Sequence, residues 1–250
     1  MQAFAFKRFS VRHECSTMRV GTDAVLLGAW TELPSRTADS SLFRVLEIGC
    51  GCGLVSLMLA QRLQEAALPG KPFGITAVDI HSPSCLEAAR NVSCSPWKDE
   101  IEVKNLDFLE LPEDFEEEAF ALLVSNPPFF RESLKSPDPA RNLARHNDTL
   151  PFAPMLAQAE RLLKEGGTLS LILPPGSFVE IGRILEETAS PLRLRRQTDV
   201  CSKAGKSPVR VLACWQKVSC PAQSPVISHD RLILRENDAY TAAYRALVKD

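Results

Sequence analysis

Three glycines at alternate positions, Gly49, Gly51 and Gly53, constrain the fold of this chain more than any other feature. A mostly apolar run at 45–48, with the acid Glu47 two residues before Gly49, precedes them, and apolar residues at helical spacing follow them. This order predicts a buried strand, a tight turn and the first turn of a helix. Because glycine lacks a Cβ, a ligand can lie directly against the main chain at such a helix N-terminus. The alternative is an ordinary tight connection between a strand and a helix.

Strand and helix patterns alternate along the rest of the core, an order typical of an α/β protein with a doubly wound, mostly parallel sheet. The predicted strands lie at 44–48, 74–79, 101–104, 121–124 and 169–173, and the predicted helices at 54–62, 83–91, 154–164 and 178–188. Gly166 and Gly167 predict the end of the third of these helices. Late strands at 192–200 and 209–215 are predicted to form an antiparallel hairpin, followed by a strand at 231–235 and a helix at 240–248.

The N-terminal residues differ in composition from the core. Residues 1–20 combine aromatic and basic side chains, which suits an extended flap over a site, with an ordinary edge strand as the alternative. Thr22 or Asp23 is predicted to cap a short helix whose first turn could face an anion. We therefore divide the chain into an N-terminal flap with a short helix, residues 1–40, and a main part, residues 41–250, within a single domain overall.

Composition narrows the class of protein. At 250 residues and 45% hydrophobic content, the chain can bury a core large enough for an enzyme. No apolar run approaches the roughly 18 residues of a membrane span, and the first residues lack a signal-peptide pattern, so we expect a cytoplasmic protein without membrane contact. The eight cysteines show neither a disulfide framework nor zinc-type spacing. We therefore expect reduced thiols and no bound metal.

The charges of the chain are unevenly distributed. The net charge of −2 argues against indiscriminate nucleic-acid binding. Basic residues nevertheless cluster in the N-terminal flap, at 131–146 and at 193–217. Such clusters are either solvated surface or contacts for phosphate groups.

Acidic residues follow two of the predicted strands. Asp79 ends the second strand, where a carboxylate can accept hydrogen bonds from both hydroxyls of a ribose, or simply cap the next helix. Asp107 and Phe108 follow the third strand and supply an acceptor and an apolar surface against which an adenine could lie. Since ligands bind at the carboxyl ends of strands in open α/β sheets, these residues are candidates for a binding site.

The sequence Asn126-Pro127-Pro128-Phe129 directly follows the fourth strand. Its prolines fix the backbone and lack N–H donors, which leaves the Pro127 carbonyl and the Asn126 side chain as fixed polar groups. These two acceptors could hold the hydrogens of a planar exocyclic amine and orient its lone pair toward a methyl donor. Phe129 would stack on the planar group, as for an unpaired base. The alternative is a proline turn packed by aromatic side chains.

Together these motifs resemble the amino-methyltransferase branch of the class I S-adenosylmethionine (SAM) methyltransferases, with the glycine turn as motif I and Asn-Pro-Pro-aromatic as motif IV. Five longer stretches, at 6–13, 20–30, 57–62, 91–97 and 194–200, resemble the bacterial valine-tRNA adenine-N6 methyltransferase family. The resemblance covers nearly the whole chain. It implies a Rossmann-like class I sheet and methylation of the adenine 3′ to the anticodon. Phe129 stands where tyrosine is common, and Asn-Pro-Pro-Phe also occurs in rRNA guanine-N2 methyltransferases.

The resemblance also implies roles for individual residues. The cofactor is SAM, and the expected cofactor-binding residues are Glu47, Gly49, Gly51, Gly53, Asp79, Asp107, Phe108, Asn126 and Thr22. The expected catalytic residues are Asn126, Pro127, Pro128 and Phe129. A tRNA is the expected partner, and a monomer is favoured. The alternatives are methylation of guanine N2 in rRNA, methylation of a protein glutamine amide, and a non-catalytic subunit that binds SAM or RNA.

Overall fold

The structure is a computed structural model that describes residues 3–16, 19–33, 42–66, 72–112, 115–127, 151–220 and 224–249. Its first elements are β1 (Phe4–Ala5), β2 (Ser10–Val11) and α1 (Thr22–Trp30). Next come β3 (Phe43–Ile48), α2 (Leu54–Glu65), β4 (Phe73–Asp79), α3 (Ser82–Ser93), β5 (Ile101–Asn105), a 3-10 turn (Phe108–Glu110) and β6 (Phe120–Ser125). The later elements are α4 (Phe152–Leu162), β7 (Leu163–Leu173), α5 (Pro175–Glu187), β8 (Leu192–Lys203), β9 (Arg210–Lys217), β10 (Ser228–Glu236), β11 (Ala239–Tyr240) and α6 (Ala242–Leu247). None of the helices in the described ranges is long and apolar enough to cross a membrane.

Within the described ranges, nine strands form one sheet in the order β11-β10-β8-β9-β7-β6-β3-β4-β5, with β5 and β11 at its edges. Strands β3 to β7 pair in parallel with one another, whereas β9 pairs antiparallel with both β7 and β8. The predicted mostly parallel sheet with a late antiparallel hairpin is therefore confirmed. Strand β10 adds to β8 in parallel, a pairing that the sequence pattern did not predict.

The core lies on both faces of the sheet. Neighbouring residues of a strand point to opposite faces, and Val45 and Leu46 of β3 show the consequence. Val45 belongs to the cluster that contains side chains of α1 and α2, whereas Leu46 packs with side chains of α4 and α5. Because helices cover both faces, the central strands are nearly continuous apolar runs.

Helix α1 begins differently from the prediction that Thr22 or Asp23 caps it. Its N-cap is Gly21, whose carbonyl oxygen accepts the N–H of Val25 at 3.3 Å. Asp23 lies in the first turn, and its carboxylate accepts a hydrogen bond from Arg210 Nε at 2.8 Å. The predicted cap is wrong because this acid attaches the helix to the start of β9.

The predicted helix end at Gly166 and Gly167 is also wrong. Helix α4 ends before them, and both glycines lie within β7. The pairing between β6 and β7 shifts in register after Phe120, so residues 164–167 form a bulge. A Cβ on Gly167 would lie 2.8 Å from the carbonyl oxygen of Lys164 and 3.1 Å from that of Phe120. The glycine pair therefore permits an irregular strand rather than a helix end.

We expect Gly167→Ala to lower the free energy of unfolding by about 1–3 kcal/mol, because the added methyl group would press against two backbone carbonyl oxygens. Gly182→Ala is the matched control. Gly182 lies inside α5, where no atom from the described ranges is within 4 Å of an added Cβ, so alanine should stabilise the helix by up to about 1 kcal/mol. Urea unfolding of the wild type and both variants measures the difference, and equal effects would contradict the bulge.

Candidate active site

The carboxyl ends of four adjacent strands lie side by side in the order β6-β3-β4-β5. The last residue of β3 pairs with the last residue of β6 and with the residue before Asp79 in β4. Asp79 pairs in turn with the last residue of β5. The glycine turn, Asn126, Asp79 and Asp107 therefore all leave the sheet at one edge, where open α/β sheets bind ligands.

The three glycines of the turn have left-handed backbone conformations, with φ of +70° at Gly49, +53° at Gly51 and +79° at Gly53. Their surroundings differ. A Cβ on Gly53 would lie 3.3 Å from Cβ of Ala88 in α3, whereas a Cβ on Gly49 would have no atom of the described residues within 4 Å. Gly53 thus allows α2 to start close to α3, and Gly49 exposes bare main chain to open space that a ligand can fill.

Asp79 fixes the glycine turn. Its Oδ2 accepts the N–H of Gly51 at 2.8 Å, and its Oδ1 accepts the N–H of His81 at 2.8 Å. The residue is 9% exposed. Since a carboxylate offers roughly four acceptor positions, these two bonds leave capacity for a ligand.

Glu47 lies buried beneath the start of α2. Its Oε2 accepts the N–H of Ser56 at 2.8 Å and also the Ser56 hydroxyl. Burial raises the pKa of Glu47 to about 8; the hydrogen bonds from Ser56 oppose the rise, and the charge of Asp79 adds to it. This carboxyl group therefore joins β3 to α2 from inside the fold.

Asn126 carries a buried side-chain oxygen that has no partner. Its Oδ1 accepts no hydrogen bond from any residue of the described part. Leaving a buried acceptor unpaired costs about 1–3 kcal/mol. The adjacent backbone is held in place, because the hydroxyl of Ser125 donates to the Ile48 carbonyl oxygen at 2.7 Å. Pro127 follows and is buried, whereas Pro128 and Phe129 lie outside the described residues.

The other predicted cofactor residues occupy different environments. One oxygen of Asp107 caps the 3-10 turn by accepting the N–H of Leu109 at 2.8 Å. The ring of Phe108 is 4% exposed and packs in the core on the α4 side of the sheet, so it presents no open face. Thr22 is exposed in the first turn of α1. Of these three residues, the geometry brings Asp107 and Phe108 to the strand ends.

Two residues of α3, Glu87 and Asn91, were missed by the sequence motifs. Asn91 Nδ2 donates to the carbonyl oxygen of Cys52 in the glycine turn at 2.9 Å, and Glu87 is 6% exposed. Their spacing of four residues puts both side chains on one buried helix face. Two polar residues on the apolar face of a helix were the available signal.

The glycine turn and the facing helix α3 carry buried thiols. Cys50, Cys52 and Cys85 are free cysteines. A hydrogen bond between Cys50 and Cys85 raises the pKa of Cys50 and lowers that of Cys85, while burial raises the pKa of Cys52 to about 11. Among the residues described, no group of three or more His, Cys, Asp or Glu side chains is arranged to hold a metal ion.

Comparisons with known proteins agree with this architecture. The model of the family "Methyltransferase small domain" matches residues 30–198. A predicted O-methyltransferase from Agrobacterium tumefaciens superimposes with a TM-score of 0.62 at 21% identity, over 91% of this chain and 96% of that one. A Listeria monocytogenes protein assigned to the class I SAM-dependent methyltransferases superimposes with a TM-score of 0.60 at 13% identity, over 91% and 68%. The fold is that of the class I SAM-dependent methyltransferases.

Sequence similarity is higher for one family within this class. The tRNA1(Val) (adenine(37)-N6)-methyltransferase of Phocaeicola vulgatus is 37% identical to this chain over 247 residues, which is 99% of this chain and 96% of the relative. The chain belongs to the tRNA1(Val) (adenine(37)-N6)-methyltransferase family.

SAM is the cofactor of this class, and the residues of the site fit it. The open space at Gly49 leaves room for a ligand against the main chain. Asp79 keeps acceptor capacity for hydroxyl groups, and Oδ1 of Asn126 has no donor among the described residues. When bound, SAM supplies an electrophilic methyl group.

The pKa of Glu47 predicts how stability depends on pH. Between the ordinary glutamate pKa and about 8, this carboxyl is ionised in the unfolded state but neutral in the folded state. Each pKa unit corresponds to about 1.4 kcal/mol. The contribution of Glu47 to the free energy of unfolding is therefore complete below the ordinary glutamate pKa and is lost as the pH rises toward 8.

We expect the free energy of unfolding of the wild type, relative to Glu47→Gln, to fall by several kcal/mol between about pH 5 and about pH 9. Glutamine does not titrate and can still accept hydrogen bonds from Ser56. Chemical denaturation of both proteins at the two pH values measures the change. A difference that stays constant with pH would show that Glu47 is ionised in the fold.

Proposed function

We propose that this chain transfers the methyl group of SAM to N6 of adenine 37 in tRNA1(Val), the reaction after which its relatives are named. The observation that carries the proposal is the unpaired Oδ1 of Asn126, at the strand end next to the glycine turn. An acceptor that has no partner in the described part of the chain, beside the proposed cofactor site, suits a substrate that brings hydrogen-bond donors.

An exocyclic amine is such a substrate. Its nitrogen is a weak nucleophile because the lone pair is delocalised into the ring. Asn126 Oδ1 and the carbonyl oxygen of Pro127 would accept its two hydrogens and orient the lone pair toward the methyl group. Pro128 would lock this backbone, and Phe129 would stack on the base. Positioning then supplies most of the catalysis, and the proton leaves the nitrogen after methyl transfer.

The proposed cofactor contacts follow the order of the strands. The main chain of the glycine turn would lie against the methionyl end of SAM, Asp79 would accept the ribose hydroxyls, and Asp107 would accept from the adenine, with Phe108 holding Asp107 in place from the core. Glu47 would support the cofactor site by holding the start of α2 in place. Thr22 would contact the cofactor from the first turn of α1. The full set is Glu47, Gly49, Gly51, Gly53, Asp79, Asp107, Phe108, Asn126 and Thr22.

A tRNA substrate also implies a cytoplasmic enzyme, and we favour a monomer. We further propose that the N-terminal flap with its short helix, residues 1–40, belongs to the same single domain as residues 41–250. The support is the attachment of α1 to α2. Arg62 Nη1 of α2 donates to the carbonyl oxygens of Gly28 at 2.7 Å and Thr31 at 2.8 Å, which satisfies the end of α1.

The basic residues of the late hairpin are largely neutralised within the chain. Arg196 lies 3.6 Å from Glu32, Lys217 lies 2.9 Å from Glu118, and Arg210 binds an acid of α1 at 2.8 Å. Partnered charges of this kind have less to gain from a phosphate. The predicted phosphate contacts of this hairpin are therefore weaker candidates than the cations near α3.

Arg12 and Arg90 are exposed, and within the described part of the chain their side chains form no ion pair or hydrogen bond. They lie close together in the fold, because the backbone N–H and carbonyl oxygen of Arg12 form hydrogen bonds with the side chain of Asn91, the neighbour of Arg90. We propose that these two arginines, which lie near the glycine turn, contact the phosphates of the tRNA.

Asn126→Ala should lower turnover at least about 100-fold, because a preorganised acceptor for the amine is lost. It should change the Kd for S-adenosylhomocysteine (SAH) far less than it changes turnover, because the glycine turn and Asp79 supply other proposed cofactor contacts. Asn126→Asp keeps an oxygen acceptor and should retain more activity than the alanine variant. Radiolabelled methyl transfer to unmodified tRNA, followed by nucleoside mass spectrometry and mapping, measures both the rate and the product.

The expected product is N6-methyladenosine at adenine 37. Gain of N2-methylguanosine or of methylglutamine instead would reject the proposed substrate. Full turnover by Asn126→Ala would reject the proposed mechanism.

Arg90→Ala should weaken tRNA binding several-fold and reduce the slope of log K against log salt by about 1. Arg183→Ala is the matched control, since Arg183 of α5 is also exposed but pairs with Glu187 at 2.8 Å. Filter binding or fluorescence anisotropy at several salt concentrations measures both variants. Equal tRNA affinities of Arg90→Ala and Arg183→Ala would show that α3 is not part of the surface that binds tRNA.

A further inference from the structure

The N-terminal segment, here residues 12–16, lies across α3 and reaches the glycine turn. Asn91 makes the first connection. Its Oδ1 accepts the N–H of Arg12 at 2.9 Å, and its Nδ2 donates to the carbonyl oxygens of Arg12 at 2.8 Å and of Cys52 at 2.9 Å. One side chain therefore joins the N-terminal segment to the turn.

Glu87 makes the second connection, one helical turn away. Its carboxylate accepts the N–H of Glu14 at 2.6 Å, of Cys15 at 3.1 Å and of Ser16 at 2.8 Å. Three consecutive backbone donors thus converge on one buried carboxylate. Hydrogen bonds to an ionised acceptor are stronger than neutral ones, so the backbone up to Ser16 is firmly held.

The hydroxyl of Ser16 ends this segment without a partner. Its Oγ is buried, and no residue of the described ranges forms a hydrogen bond with it. A Cβ built on Gly51 would lie 3.2 Å from this oxygen. The hydroxyl is therefore directed at the left-handed turn, although its own main chain is fully engaged by Glu87.

We propose that the Ser16 hydroxyl is a cofactor contact, and that Glu87 and Asn91 are positioning residues that hold it over the glycine turn. The inference rests on the proposed function. A hydroxyl can donate to a carboxylate or accept from an ammonium group, and the methionyl end of SAM carries both. Binding of either group would satisfy an oxygen that the described residues leave unpaired.

Calorimetric titration of the whole chain with SAH tests the contact without requiring turnover. Ser16→Ala should raise the Kd for SAH by about tenfold, the loss of one hydrogen bond to a charged group. Ser93→Ala is the matched control, because Ser93 is an exposed serine whose hydroxyl donates to the Arg90 carbonyl oxygen at 2.8 Å. Its Kd should equal that of the wild type.

Thermal unfolding without ligand separates binding from packing. Ser16→Ala removes an unpaired buried hydroxyl, so its melting temperature should be no lower than that of the wild type. Weaker SAH binding accompanied by a lower melting temperature would indicate a structural role and overturn the contact. So would an affinity equal to that of Ser93→Ala.

Glu87→Gln tests the positioning role. The amide cannot accept three backbone N–H groups, so the segment should loosen and SAH should bind at least about tenfold more weakly. Adding Ser16→Ala to Glu87→Gln should then cost less affinity than Ser16→Ala alone, because the two residues act as one unit. The same fold-loss in both backgrounds would overturn the role of Glu87. Failure of the wild type to bind SAH would instead overturn the proposed function.

Discussion

The carboxylate of Asp79 holds together the sheet edge on which the whole site depends. By accepting the N–H groups of Gly51 and His81, it fixes the turn after β3 against the start of α3. Both bonds are charge-assisted, and such bonds are roughly twice as strong as neutral ones. The bare main chain of the turn is thus ordered by folding itself. The binding free energy of a ligand is therefore not reduced by the entropic cost of ordering the turn.

Two other buried acidic side chains also join separate segments through hydrogen bonds that they accept. Glu47 accepts a hydrogen bond from the N–H of Ser56 in α2, and Glu87 accepts hydrogen bonds from the backbone N–H groups of residues 14–16. A buried acid is unfavourable unless its oxygens are hydrogen-bonded, and here the donors come from the segments that surround the site. Glu47 therefore connects β3 to α2, and Asp79 connects β4 to the glycine turn. Glu87 connects α3 to the N-terminal segment.

The strand ends were accessible to sequence reasoning because parallel strands finish at one edge of a sheet. The glycine turn, Asp79 and Asn126 lie there as predicted. Glu87 and Asn91 were missed because their partners are 39 to 79 residues away, and no local pattern encodes such contacts. For the same reason, the cluster of cations in the late hairpin could be recognised in the sequence, but their pairing with acids elsewhere in the chain could not. The glycine pair of β7 was misassigned because glycines after a helical pattern suit a bulge as well as a helix end.

The edges of the nine-stranded sheet have a consequence for the protein in solution. Unpaired backbone groups at an edge can template a strand from another molecule, and such contacts lead to aggregation. At one edge, Glu102 and Lys104 of β5 form an ion pair at 3.2 Å. At the other, β11 covers only the end of β10, whose uncovered start carries the exposed Asp230 and Arg231. An incoming strand would have to desolvate these charges, so the sheet resists further growth despite its length.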